Sequence, residues 1–99
     1  MEVQSIVIVG KRWFQKSYGN TYCSAVAYVN GKPLVSFSKV YGYGDYYLQY
    51  ITELLEKEGY LPGIEKYEWG GMEAIWRYCE RSGIEFSYTV SDVSREKDL

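Results

Sequence analysis

The chain has no histidine, and this absence removes the commonest general base near neutral pH and the commonest metal ligand. Catalysis would have to rest on carboxylate, phenol or thiol alone, so the expectation is a protein that is not an enzyme and carries no cofactor. Cysteine is nearly absent too. Cys23 and Cys79 stand far apart without C-x-x-C spacing, which gives no metal set. They read as buried, reduced thiols serving as small hydrophobes, and a bridge between them would need an oxidising compartment. Long apolar runs are missing: none approaches the ~20 residues that cross a bilayer. The opening Met1-Glu2-Val3-Gln4-Ser5-Ile6-Val7-Ile8-Val9 lacks the basic start and small-residue cleavage site of a signal peptide, so a strand and an intracellular location are expected. Net positive charge is lacking as well, and a value of −2 argues against a general polyanion binder.

What the chain does have is tyrosine, twelve in 99 residues. A large apolar ring with a polar tip suits a surface that stays wet when empty and becomes dry when occupied. Two segments concentrate it: Lys11-Arg12-Trp13-Phe14-Gln15-Lys16-Ser17-Tyr18-Gly19-Asn20-Thr21-Tyr22 and Tyr41-Gly42-Tyr43-Gly44-Asp45-Tyr46-Tyr47. Charge is unevenly spread along the chain. Residues 1–44 hold five cations against Glu2 alone, whereas residues 45–99 hold six against twelve carboxylates. The length allows one domain over 1–99, and its hydrophobic and charged fractions are those of an ordinary folded protein.

Residues 3–16, 21–29, 32–41 and 84–90 read as strands, and residues 45–58 and 72–82 as helices. Asn30-Gly31 is the strongest hairpin signal, and Gly19-Asn20 a weaker one for a two-residue loop. Asp45 suits an N-cap, Tyr47, Leu48, Ile51, Leu54 and Leu55 form an apolar stripe, and Gly59 suits the position just past the helix. On the second helix Met72, Ile75, Trp76 and Cys79 share a side. Residues 60–71 read as a connecting loop and 91–99 as a loose polar tail. The order β-β-β-α-α-β predicts an α+β two-layer sandwich, an antiparallel sheet with two helices on one face.

If Asn30-Gly31 is a two-residue turn, Ala27 faces Leu34, Val26 faces Val35, Ala25 faces Ser36 and Ser24 faces Phe37. One face then carries mostly small residues, Cys23, Ala25, Ala27, Leu34, Ser36 and Ser38, suited to close approach by a helix. The other carries Tyr22, Val26, Tyr28, Val35, Phe37, Lys39 and Tyr41. Continued through Gly19-Asn20, Trp13 opposes Val26 and joins the aromatic face with Lys11 and Gln15, while Phe14 and Arg12 fall on the helix side. Such a face is either an open platform or is covered by the chain itself or by a second copy. Rings among cations hold single-stranded nucleic acid, because cations follow phosphates while bases stack. The predicted contact residues are Lys11, Trp13, Tyr22, Tyr28, Phe37 and Lys39. The ordinary alternative is a hairpin end whose rings pack locally and whose cations keep an edge soluble.

Tyr41-Gly42-Tyr43-Gly44-Asp45 leads glycines into a helix but has neither a G-K-[ST] ending nor G-x-G-x-x-G. Asp45 would set a negative charge where a phosphate needs free donors. The segment reads as a strand-to-helix turn, with Tyr43 and Tyr46 as a candidate ligand loop. Glu53, Glu56, Glu58, Glu65, Glu68 and Glu73 read as a solvated acidic face with no metal.

Arg12-Trp13-Phe14, Gly19-Asn20-Thr21-Tyr22 and Tyr41-Gly42-Tyr43-Gly44-Asp45, with the ending Ser91 to Leu99, resemble a pattern found in small uncharacterised bacteriophage and mobile-element proteins. The resemblance spans nearly the whole chain. That pattern has a histidine after its GNTY tyrosine, where this chain has Cys23. The resemblance implies a small accessory protein of a virus or virus-like element in the host cytoplasm, and supplies no biochemical activity. Three roles follow as expectations. The first is a non-enzymatic protein binding single-stranded nucleic acid through the aromatic and basic hairpin face. The second is a protein-interaction module or inhibitor of a host factor that uses its acidic helical face, with Glu53, Glu56 and Glu73. The third is a homodimer closed by the aromatic face.

Overall fold

Strict alternation along the first strand sets the architecture: Ile6 and Ile8 are buried while Val7 and Val9 are exposed. A period of two with apolar side chains on one side demands a covered face. The computed structural model describes residues 2–99. Its elements are β1 (Ser5–Gln15), β2 (Asn20–Val29), β3 (Lys32–Tyr41), α1 (Tyr46–Lys57), α2 (Ile75–Ser82) and β4 (Glu85–Val93), followed by a 3-10 turn at Glu96–Asp98. The α+β sandwich and the β-β-β-α-α-β order stand as expected. One four-stranded sheet, ordered β3-β2-β1-β4, lies beneath both helices. Its core joins Ile6, Ile8, Ala25, Ala27 and Val29 to Ile51, Leu55, Ile75 and Cys79.

The sheet is mixed rather than antiparallel throughout. β1–β2 and β2–β3 are antiparallel, but β4 runs parallel to β1. After three strands of a meander the chain points as β1 does. The two helices carry it back to the end where β1 begins, so β4 runs alongside β1. The last strand also continues to Val93 and is followed by the 3-10 turn, so much of the segment expected as a loose tail is built structure.

Two registers differ from expectation. The β1–β2 connection is a four-residue loop, Lys16 to Gly19, closed by Gly19 N–H donating to the Gln15 carbonyl at 2.8 Å. Trp13 therefore opposes Tyr22, not Val26. The shift is even, so no side chain changes face. Asn30-Gly31 forms the expected tight turn, with both residues at positive φ (53° and 81°). Two irregularities then follow in the β2–β3 pairing, between Ala27 and Tyr28 and between Cys23 and Ala25. Each adds one residue to β3 and flips its faces. Between them Val35 and Phe37 oppose Ala27 and Ala25 and join the helix-covered side, while Ser36 opposes Val26 on the open side. Beyond the second, Tyr41 opposes Tyr22 and the expected faces return.

On α1, Tyr47, Ile51 and Leu55 are fully buried, and Leu48 and Leu54 pack beside them. Its end is a Schellman closure: Tyr60 N–H donates to the Leu55 carbonyl and Gly59 N–H to that of Glu56, both at 3.0 Å, with Gly59 at φ 85°. Asp45 occupies the N-cap position, but its carboxylate makes no capping bond; its carbonyl instead accepts from Leu48 N–H at 2.9 Å. α2 begins at Ile75, later than expected, and buries Ile75, Tyr78 and Cys79. Trp76 faces solvent, a correction to its assignment to the buried side. Cys23 and Cys79 are both buried and free. Among the described residues, no helix is long and apolar enough to cross a membrane.

Candidate functional site

Among the described residues, no helix lies on the other face of the sheet, and its rings gather at one end. Trp13 on β1 stacks on Tyr22 of β2 (centroids 5.8 Å apart, 25° between planes), and Tyr22 meets Tyr41 of β3 at 5.8 Å. Pairing places all three side by side across adjacent strands. This is the arrangement that gives cross-strand aromatics their extra stability. Lys39 lies over the same rings, its Nζ 4.6 Å from the Tyr22 centroid and 5.8 Å from that of Trp13. At both distances a cation is held by the ring quadrupole. Lys11 stands on the same face beside Ser24 and Ser91 and is exposed.

The predicted residues divide accordingly. Lys11, Trp13, Tyr22 and Lys39 come together. Tyr41, expected on this face but not among the contact residues, completes the row and is 60% exposed. Tyr28 shares the face but pairs with Val7 and Pro33 near the far end. Six residues along a strand put it about 20 Å from Tyr22. Phe37 is not on this face at all: the paired bulges turn it under α1, where it meets Tyr50 edge-on at 4.7 Å. Of the suggested ligand loop, Tyr46 is packing. Its ring covers the α-carbon of Gly42 so closely that a Cβ there would collide, and it lies 6.1 Å from Tyr50. Tyr43 is 72% exposed and lines a cleft of about 390 Å³ with Arg12, Lys16 and Thr21.

Arg12 is comfortable on the helix side because its guanidinium stays partly in solvent and finds two acceptors there. It donates through Nε to Asp92 at 3.1 Å and through Nη1 to the Gly44 carbonyl at 3.4 Å. Lys39 pairs with Glu96 at 3.1 Å, which draws the segment after β4 back across the sheet. Lys11 and Lys16 make no ion pair among the described residues. The hairpin end thus presents a ring row on one side, an Arg12–Lys16–Tyr43 cleft on the other, and two cations free for an anion.

The acidic side is less free than expected. Glu56 is paired with Lys66, and Glu73 is not solvated: it is 1% exposed and chelated by Arg81. Nε and Nη2 of that arginine donate at 2.8 and 2.7 Å. No three His, Cys, Asp or Glu side chains are grouped to hold a metal ion among the described residues. Sequence reasoning missed two exposed tryptophans on the helix side, Trp69 and Trp76. The Trp69-Gly70-Gly71 run was a usable signal, because a glycine next to a ring often marks its seat. Comparison of the chain with protein-family models, with curated proteins and with solved structures finds no match.

Proposed function

We propose that the protein binds single-stranded nucleic acid across the sheet face away from the helices, as a non-enzymatic accessory protein of a virus or mobile element. The second half of that reading rests on the RWF, GNTY and YGYGD pattern described above. The first half is carried by the Trp13–Tyr22–Tyr41 row with Lys39 above it and Lys11 beside it. Bases need flat, half-wet apolar surface, and phosphates need cations one strand-width away; this face offers both. With Arg12 and Lys16 at the same end and Lys39 held by Glu96, three cations are left to neutralise phosphates, which corresponds to a log–log salt slope of about −2 for a single strand.

Titration of an oligo(dT) strand against tryptophan fluorescence at low salt tests the reading. Saturable quenching of Trp13 at micromolar protein is expected, with affinity weakened about tenfold or more in Tyr22→Ala, which keeps the reporter, if each stacked base contributes ~1–3 kcal/mol. Absence of quenching at low salt rejects it. A second reading has its own observation: Val7 and Val9 are both 37% exposed on this face, beside Val26 and Tyr28. An apolar strip of that kind suits a second copy of the chain, and light scattering on dilution separates a dimer from a monomeric binder. The host-factor reading through an acidic helical face loses two of its three carboxylates, since Glu56 and Glu73 are already neutralised internally, and keeps Glu53.

A further inference from the structure

A groove of about 480 Å³ lies in the helix layer, between α1, the small hairpin closed by the Lys66–Met72 bridge, and the start of α2. It is on the opposite side of the sheet from the ring row, and the nucleic-acid reading does not use it. Its size falls within the ~300–1,000 Å³ of ordinary ligand sites. Trp69 and Trp76 wall it, 80% and 57% exposed. An indole left in water forgoes the gain of burial, yet Trp69 is held firmly. It stacks on Tyr67 at 5.5 Å and 19°, and its ring rests on the α-carbon of Gly71, where any Cβ would collide. A ring seated in advance gives up little entropy when something covers it.

The charge in the groove has one sign. Asp45, Glu53 and the Arg81-bound Glu73 line it; the first two are exposed and without an ion pair among the described residues, and no lysine or arginine lines it. We propose that the groove docks an arginine side chain carried by a basic segment of a partner protein. Indole faces attract any cation. The two unpaired carboxylates choose among cations, because a quaternary ammonium has no N–H to give them. A guanidinium uses both features, laying its plane on a ring and donating its edge to a carboxylate. A volume of about 480 Å³ exceeds that of one arginine side chain, which favours a peptide over a free small cation.

The Trp13→Phe protein isolates the two groove indoles, since the chain has three tryptophans. Titration with an acetylated, amidated tetra-arginine peptide should give a saturable fluorescence change. Affinity should fall about tenfold in Trp76→Ala and in Glu53→Gln, and several-fold when tetra-lysine replaces tetra-arginine. Both substituted side chains are exposed, so circular dichroism should show an unchanged fold. No saturable change up to about 1 mM peptide, equal affinity for tetra-lysine, or unaltered binding in both variants overturns the assignment. Trp76-dependent self-association without peptide binding would give the groove to a second copy and equally overturns it.

Discussion

At the scale of single residues the sharpest feature is Tyr47. It is fully buried, and its hydroxyl meets no hydrogen-bond partner among the described residues. Burial pushes its pKa up, and the nearby Asp45 carboxylate adds to the effect. The site wants the ring: a Cβ on Gly10 would come within 2.5 Å of its Cδ2, so β1 makes room by having no side chain there. The phenol oxygen contributes nothing to that fit and costs roughly 1–3 kcal/mol as an unpaired buried group. Tyr47→Phe should therefore raise stability by about 1 kcal/mol, read in urea as a higher midpoint with an unchanged slope. A lower midpoint would mean that the hydroxyl is satisfied. Cys23 and Cys79 follow the opposite logic. Burial raises both thiols, Cys79 to about 11, so neither is a thiolate near neutral pH. They pack as the small hydrophobes that their spacing implied.

At the scale of elements, the segment from Tyr60 to Ala74 is held to α2 by two side chains. Tyr78 donates its hydroxyl to the Pro62 carbonyl at 2.7 Å, and Arg81 donates to the Gly63 carbonyl at 2.9 Å while gripping Glu73. The Arg81 hydrogen bonds hold the Glu73 carboxyl at about 2 instead of 4.5, against desolvation that opposes them, with Glu65 N–H assisting. The unfolded chain takes up this proton near 4.5 and the folded chain only near 2. Between those values the unfolded state binds more protons, so the stabilisation is complete above the upper value and disappears as pH falls through the lower one. Glu73→Gln should lower the melting temperature near pH 7 by about 5–10 °C. It should also flatten the loss of stability between pH 4.5 and about 2 relative to the parent. An unchanged acid limb would mean that the latch does not link the loop to folding. The α1 stripe, its Gly59 stop and the Asn30-Gly31 turn were legible because each is decided by neighbours in sequence. Glu73 was not, because its partner is eight residues away and outside helical i,i+4 reach. The bulges of β3 were not legible either. Local alternation from Lys32 to Tyr41 fits one register as well as the other, and packing of Phe37 against Tyr50 on α1 accompanies the shifted one. Four of the predicted contact residues, Lys11, Trp13, Tyr22 and Tyr28, sit on β1 and β2, where an even shift of register preserves the face; Phe37 sits where a single bulge reverses it.

At the scale of the molecule, the smallest dimension is 19 Å, room for one sheet and one layer of helices and nothing more. The second face of the sheet is turned away from the helices for that reason, and the ring row lies on it. The charge asymmetry along the chain is partly undone by the fold, since β4 and the turn after it return Asp92 to Arg12 and Glu96 to Lys39. Each of these pairs competes with any phosphate approaching the hairpin end. Lys39 is the more consequential of the two, because it already lies over Tyr22 and Trp13, where a stacked base would bring its phosphate. A strand that uses Lys39 has to displace Glu96, so the tail acts as a built-in competitor. Glu96→Gln removes that competitor. The pair is exposed, so its loss should change stability by under ~1 kcal/mol. Affinity for oligo(dT), measured by the same quenching titration, should rise about threefold to tenfold, and the salt slope should steepen by about 0.7 as one more cation becomes free to release counterions. Unchanged affinity and slope in Glu96→Gln would put Lys39 off the path of the strand and leave Lys11, Arg12 and Lys16 to carry the phosphates.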